Sequence, residues 1–172
     1  MKYFYLFTFL FFVQNLIFAQ DKLGIYDIAR KGTVDQVQVF FKESPEIIST
    51  PNEYGFSPLI LACYSGNKAV ASYLVDKVNL DYVSPEGTAL MAAVVKGNVL
   101  LVKLLLEKNA NPNLTNKQGT TALIYAVQFK NTEIINLLLQ HNASKLQMDK
   151  EGKTAFEYAV FARNETIINL LK

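Results

Sequence analysis

The stretch Leu101–Asn113, LVKLLLEKNANPN, is followed farther along the chain by a related stretch, Ile134–Leu146, IINLLLQHNASKL. In both stretches the apolar residues recur at the spacing that places them on one face of a helix. Both helices also end at an Asn-Ala pair, and Asn tolerates the left-handed conformation that often terminates a helix. The chain therefore contains the same amphipathic helix twice, with the same end, and this recurrence predicts a repeat architecture.

Related segments extend the repeat over most of the chain. The aligned positions are Ile25, Leu59, Leu90, Leu123 and Phe156, and the interval from Leu59 to Leu90 is the shortest of the four. This spacing predicts one repeat domain, residues 20–172, with five units at residues 23–51, 52–82, 83–115, 116–148 and 149–172. The shortest interval is explained by losses around residues 78–79 and 85–87. We therefore expect a distorted hairpin at Pro85-Glu86-Gly87.

Each unit has the sequence features of two short helices joined by a turn. A hydroxyl residue precedes the first helix, where its oxygen can accept a hydrogen bond from an unpaired backbone N–H; the pairs are Ser57-Pro58, Thr88-Ala89, Thr121-Ala122 and Thr154-Ala155. The second helix carries the apolar stripe, formed by Val102, Leu104 and Leu105 in one unit and by Ile135, Leu137 and Leu138 in the next. The pattern predicts an all-α chain of helix-turn-helix units.

These units resemble the ankyrin repeat, whose consensus contains T-P-L-H-x-A-A-x-x-G and a second helix ending L-L-x-x-G-A-D-x-N. The segments SPLILACYSGN, TALMAAVVKGN and TALIYAVQFKN carry the resemblance, which covers residues 23–172. It implies an ankyrin-type solenoid with short β-turn fingers between the helix pairs. The consensus His is absent and is replaced by Ile60, Met91, Ile124 and Glu157. Packing must therefore replace the hydrogen bonds that this His makes between units.

Composition argues against several classes of function. The formal net charge is +2, with basic and acidic residues interspersed, so the chain lacks the basic stripe expected of a nucleic-acid-binding protein. One Cys and one His cannot form an intrachain disulfide or a Cys/His metal site. The sequence contains no phosphate-binding loop or catalytic motif. We therefore expect a protein that is not an enzyme and has no cofactor and no small-molecule substrate.

The N-terminal segment, residues 1–19, differs from the rest of the chain. Lys2 is followed by the apolar run YFYLFTFLFFV and then by Ala19, the order found in a cleaved secretory signal peptide. We expect a small bacterial protein that is secreted or periplasmic after cleavage. The alternative is an uncleaved segment that anchors the chain in the membrane, because residues 3–20 approach the length needed to span a bilayer. Contact with a membrane is expected only in that second case.

The resemblance places the finger tips and the outer positions of the first helices on one concave face. That face is rich in aromatic residues, which are frequent anchors in protein interfaces. The candidate partner-binding residues are Tyr54, Phe56, Tyr64, Lys96, Lys117, Gln128, Phe129 and Phe161. An alternative is that these rings fill the gaps left by the missing His residues and the short hairpin.

The sequence therefore predicts a monomeric interaction module that binds a partner protein through its concave face after export. Two alternatives stay open. One is an immunity or inhibitor protein that blocks a toxin or an enzyme, and the other is a structural scaffold tethered to the membrane by its N-terminal segment.

Overall fold

The computed structural model describes residues 24–172. The predicted signal peptide, residues 1–19, lies outside the described residues. Within the described range the chain forms ten α-helices and one short 3-10 helix, Pro45–Ile48. The helices are α1 Ile25–Lys31, α2 Val34–Glu43, α3 Pro58–Ser65, α4 Lys68–Leu74, α5 Ala89–Val95, α6 Val99–Glu107, α7 Ala122–Gln128, α8 Thr132–Gln140, α9 Ala155–Phe161 and α10 Glu165–Leu171. The predicted all-α helix-turn-helix repeat is confirmed.

The helices are arranged in two layers. The first helices of successive pairs, α1, α3, α5, α7 and α9, contact one another in order, and the second helices α2, α4, α6 and α8 form a parallel set of contacts behind them. Small residues at equivalent positions of the first helices are fully buried, and they let neighbouring helices approach closely. These residues are Ala62, Ala93, Ala126 and Ala159.

The second helices also contribute large buried side chains to the core. Leu105 and Leu138 are completely buried, whereas Lys108 and Gln140 are exposed, as the apolar stripe predicts. Leu104 is only partly buried, and Leu101 and Leu106 are buried instead. The buried stripe is therefore wider than the sequence indicated, because each second helix packs against the first helix of its own pair and against neighbouring pairs.

The helix ends follow the predicted chemistry. Ser57, Thr88, Thr121 and Thr154 all accept a hydrogen bond from the backbone N–H of the third residue that follows, and so cap the first helices. Asn109 and Asn142 have φ values of 64° and 62°, the left-handed conformation expected at the helix ends. The second helices α4, α6, α8 and α10 are capped by Asn67, Asn98, Asn131 and Asn164. This capping role of the four Asn residues was not predicted from the sequence.

Three of the fingers between helix pairs share one hairpin geometry. In residues 52–56, 116–120 and 149–153, the N–H of the first residue donates to the carbonyl of the fifth. The side-chain Oδ1 of Asn52, Asn116 or Asp149 accepts from the N–H groups of the third and fifth residues of the same finger. One oxygen thus satisfies two turn donors that have no backbone partner, as Asn and Asp commonly do in turns.

The finger at residues 84–88 is contracted, and the predicted distortion is confirmed there. From Ser84 to the helix cap Thr88 the chain is one residue shorter than from Asn116 to Thr121. Ser84 and Gly87 donate their N–H groups to each other's carbonyl at 3.0 Å, and the Ser84 hydroxyl donates to the Gly87 carbonyl at 2.8 Å. Gly87 has φ of 120°, a conformation that side-chain-bearing residues rarely adopt. The shorter finger therefore depends on a glycine.

Candidate functional site

A cavity of about 500 Å³ opens on the side formed by the fingers and the first helices. We call it the groove cavity. Its walls come from α3 and the finger before it, the contracted finger, α5, and α7 with the residue that follows it, together with one residue of α1. The residues lining the groove cavity are Arg30, Phe56, Ile60, Leu61, Tyr64, Ser84, Glu86, Gly87, Thr88, Met91, Ala92, Val95, Tyr125 and Phe129.

Small side chains on α5 explain the position of the groove cavity. In the repeat alignment, Ala92 occupies the position that Tyr125 has on α7, and Val95 is equivalent to Gln128. A large ring therefore projects from α7 where only a methyl group projects from α5. The shortened finger lies directly beside this site, since Glu86, Gly87 and Thr88 also line the groove cavity. The unit that contains α5 therefore has both small side chains and a shorter finger, and this leaves space between the units on either side of it.

Tyr125 forms one wall of the groove cavity and is fixed from two sides. The Asn116 side-chain amide donates to the Tyr125 hydroxyl at 2.9 Å, and the Tyr125 and Phe129 rings lie with centroids 6.5 Å apart. Partial burial raises the pKa of Tyr125, and the nearby Glu86 carboxylate raises it further, against the opposing effect of the Asn116 hydrogen bond. The Tyr125 ring is thus held in place and uncharged, with the Glu86 carboxylate nearby.

The next unit repeats this arrangement with a carboxylate. The Tyr158 hydroxyl donates to Asp149 Oδ2 at 2.5 Å. This hydrogen bond, followed by burial, raises the pKa of Tyr158 to about 12. Burial of Asp149 favours its neutral form, but the hydrogen bonds from Tyr158 and from the Lys153 and Glu151 amides outweigh burial and lower the pKa of Asp149. The finger and the first helix are joined by a tyrosine in both units.

Three of the eight candidate residues line the groove cavity, and a fourth lies over the ring of one of them. Phe56, Tyr64 and Phe129 line it, and Lys96 lies beside it with its Nζ 4.8 Å from the centroid of the Tyr64 ring. Tyr64 and Phe129 are 52% and 55% exposed, whereas Phe56 is half-buried. The two exposed rings therefore have surface left to bury against another molecule.

The other four candidate residues are exposed but do not line the groove cavity. Lys117 contacts the contracted finger through its backbone, since its N–H donates to the Pro85 carbonyl at 3.0 Å. Phe161 lies with its ring centroid 5.4 Å from Lys153 Nζ. The four residues are Tyr54, Lys117, Gln128 and Phe161. Their role in partner binding stays a prediction.

Sequence reasoning missed several residues of the groove cavity. Tyr125, Met91 and Glu86 line it but were not among the candidates. Met91 was noted only as a replacement for the consensus His. For Tyr125, a usable signal was its alignment with Ala92, because a large ring beside a small residue at equivalent positions indicates uneven packing. For Glu86, the signal was its position in the one finger that is too short.

The chain has one Cys and one His, and the structure shows the surroundings of both. Cys63 is fully buried, as expected for a small core residue, and burial raises the pKa of its thiol to about 12, so the thiol stays protonated. His141 caps the end of α8. Across residues 24–172 we find no group of three or more His, Cys, Asp or Glu side chains that could hold a metal ion. None of the helices described is long and apolar enough to cross a membrane.

The chain matches a model of ankyrin repeats over residues 25–116 and 90–172. It is also 32% identical over 100 residues to the Ankyrin repeat and SAM domain-containing protein 6 of Rattus norvegicus, and 34% identical over 100 residues to that of Mus musculus. Each alignment covers 56% of this chain but only 11% of the relative. Ankyrin repeats generally serve as protein-interaction modules and are typically non-catalytic. The chain belongs to the ankyrin repeat family.

Proposed function

We propose that the chain binds a partner protein in the groove cavity and acts as a non-catalytic interaction module. The observation that carries this proposal is the cavity of about 500 Å³ flanked by Tyr64 and Phe129, two aromatic side chains that are more than half exposed. Aromatic residues that become buried at the centre of an interface contribute much of its binding energy. The groove cavity offers such residues together with a space for a partner side chain.

The packing of the rings favours binding over filling of gaps. A ring that fills a gap in the core is largely removed from solvent, as Phe56 partly is. Tyr64 and Phe129 instead keep about half of their surface in water. Burying the rest of such a ring removes roughly 100 Å² from solvent, which corresponds to about 2 kcal/mol of favourable free energy. A partner that covers both rings would gain that contribution at each.

The test compares folding and binding in the same variants. A partner is first captured with the mature protein from the envelope fraction of its host, and its affinity is then measured by calorimetry. We expect Tyr64→Ala and Phe129→Ala each to weaken binding by about 2 kcal/mol, roughly thirtyfold, while the thermal midpoint changes little. Leu100→Ala is the matched control, because Leu100 is an exposed apolar residue on a second helix, α6.

Tyr54→Ala extends the test beyond the groove cavity. Tyr54 is 68% exposed but does not line the cavity, so its truncation should weaken binding less than that of Tyr64. Large losses of thermal midpoint in Tyr64→Ala and Phe129→Ala would instead show that the rings support the fold. Unchanged affinity in both variants would place the binding site elsewhere.

We also propose that the protein is exported and acts outside the cytoplasm. The support is the order of Lys2, an apolar run and Ala19 at the N-terminus. The intact mass of the exported protein should correspond to a chain that begins at Gln20. Recovery of only the full-length chain from the membrane pellet would favour the tethered scaffold. Bacterial origin stays a prediction, and both relatives reported above are mammalian.

A further inference from the structure

The charges around the groove cavity are unequally compensated. Of the residues that line it, only Arg30 and Glu86 carry a formal charge. Arg30 lies 3.3 Å from the Asp27 carboxylate of its own helix, so an opposite charge already accompanies it. Glu86 forms no salt bridge or side-chain hydrogen bond with any residue in the range 24–172. The uncompensated charge in the lining of the groove cavity is therefore negative.

Lys96 and Lys117 do not neutralise Glu86 either. Lys96 Nζ lies over the Tyr64 ring at 4.8 Å and is not part of the lining. Lys117 is exposed and contacts the contracted finger through its backbone N–H, which donates to the Pro85 carbonyl. Neither lysine forms a salt bridge with another described residue. Glu86 thus stays available to a charge brought by a partner.

The rest of the lining suits a long aliphatic chain. Met91, Ala92 and Val95 supply an apolar wall on α5, and Tyr125 and Phe129 supply ring surface opposite the α3 side. Aromatic faces attract cations through their ring quadrupole, and lysine and arginine side chains bury their methylene stems against apolar surface while the charged end stays solvated. An apolar wall, two rings and one free carboxylate together match a side chain with an apolar stem and a cationic end.

We infer that the groove cavity receives a single arginine or lysine side chain of the partner protein, with the stem along α5 and the cation beside Glu86. This inference rests on the proposed function and adds the chemical nature of the partner's anchor residue. The contracted finger has a direct role, because it supplies both Glu86 and the space beside Ala92. At the equivalent finger position in residues 149–153, Glu151 is instead paired with Lys153 at 2.6 Å.

The anchor can be tested with small probes and methyl NMR. The chain has three methionines, of which Met91 lines the groove cavity and Met148 is exposed outside it. With methyl-¹³C-methionine protein, we would titrate N-acetyl-arginine methylamide, N-acetyl-leucine methylamide and N-acetyl-glutamate methylamide. The arginine probe should shift the Met91 methyl signal saturably and leave that of Met148 in place. The leucine probe should bind more weakly, and the glutamate probe should give no shift.

Charge-neutralising variants then identify the carboxylate responsible. Glu86→Gln should weaken binding of the arginine probe about threefold or more, because the ion pair forms at an exposed rim. Glu151→Gln is the matched control, since it removes a carboxylate from the same position of another finger and should leave the affinity unchanged.

Two results would overturn the inference. The first is that the leucine probe binds more tightly than the arginine probe, while wild type and Glu86→Gln bind the arginine probe with equal affinity. The second is that no probe shifts the Met91 signal. Neither result decides the proposed function, because the affinities of Tyr64→Ala and Phe129→Ala for the captured partner test it separately.

Discussion

Two adjacent units, one built on α5 and α6 and the other on α7 and α8, have the same helices but different surfaces. Thr88 and Thr121 cap their first helices, and Asn98 and Asn131 cap their second. On the groove side, however, the second of these units projects Tyr125, held by Asn116, whereas the first has Ala92 beside a finger that lacks one residue. The comparison shows that a repeat can keep its core and still create a cavity.

The difference between Ala92 and Tyr125 lies at a position that the core does not need. Ala93 and Ala126, which directly follow the divergent pair, are both fully buried, and Leu90 and Leu123 are buried in both units. Ala92 and Tyr125, in contrast, are only partly buried. Because their side chains face the groove, they can differ in size by a whole ring without changing how the helices stack.

Truncation of the shared core should produce the largest effects and should affect both units alike. Leu105→Ala and Leu138→Ala each remove a fully buried side chain from equivalent positions. Each should lower the free energy of unfolding by about 2–5 kcal/mol in urea titrations, because a cavity remains. Gln140→Ala, at an exposed position, should change it by no more than about 0.5 kcal/mol. A clearly unequal loss of unfolding free energy at the two leucines would show that the cores of the two units also differ.

A substitution in the contracted finger should have the next largest effect. In Gly87→Ala the backbone keeps φ of 120°, and the new Cβ would overlap Met91 Sδ, which must move. We expect backbone strain alone to lower the free energy of unfolding by about 1–3 kcal/mol, measured by thermal unfolding. Gly152→Ala is the control in a regular finger, where φ is 75° and the added Cβ meets no atom within 4 Å. A smaller loss for Gly87→Ala than for Gly152→Ala would contradict the role assigned to this glycine.

The smallest expected effect concerns pH and distinguishes two regular fingers. Asp149 has a pKa below its ordinary value of 3.8 in the folded chain, so it stabilises the fold at neutral pH and this stability is lost as the pH falls through the folded pKa. The equivalent Asn116 cannot titrate. Asp149→Asn should therefore flatten the decrease in thermal midpoint between neutral and strongly acidic pH. An unchanged pH profile would show that the ionised form of Asp149 does not contribute to stability.

The repeated parts of the molecule could be predicted well from the sequence. The hydroxyl caps, the left-handed Asn109 and Asn142, and the buried Leu105 and Leu138 all depend on local chemistry that recurs at a fixed spacing. The shortened interval also located the distorted finger, because a missing residue is visible when repeats are aligned.

The groove cavity was harder to predict because it depends on what is missing. Ala92 carries no chemical signal by itself, and its effect appears only when Tyr125 and Phe129 are stacked beside it. Which first-helix residues share a cavity is set by the packing of successive units, whereas the sequence shows only that they lie on the same side. The same limit left Tyr54 and Phe161 among the candidates although they do not line the groove cavity.

If a partner binds in the space above Ala92, the Ala92→Tyr substitution should block that binding. The substitution gives α5 the residue that α7 already carries at the equivalent position, so the ring should fill the groove cavity without disturbing the core. The affinity for the captured partner and the thermal midpoint would be measured on the same preparations. We expect at least a tenfold loss of affinity, about 1.4 kcal/mol, with a nearly unchanged midpoint. Wild-type affinity in a folded Ala92→Tyr protein would contradict this expectation.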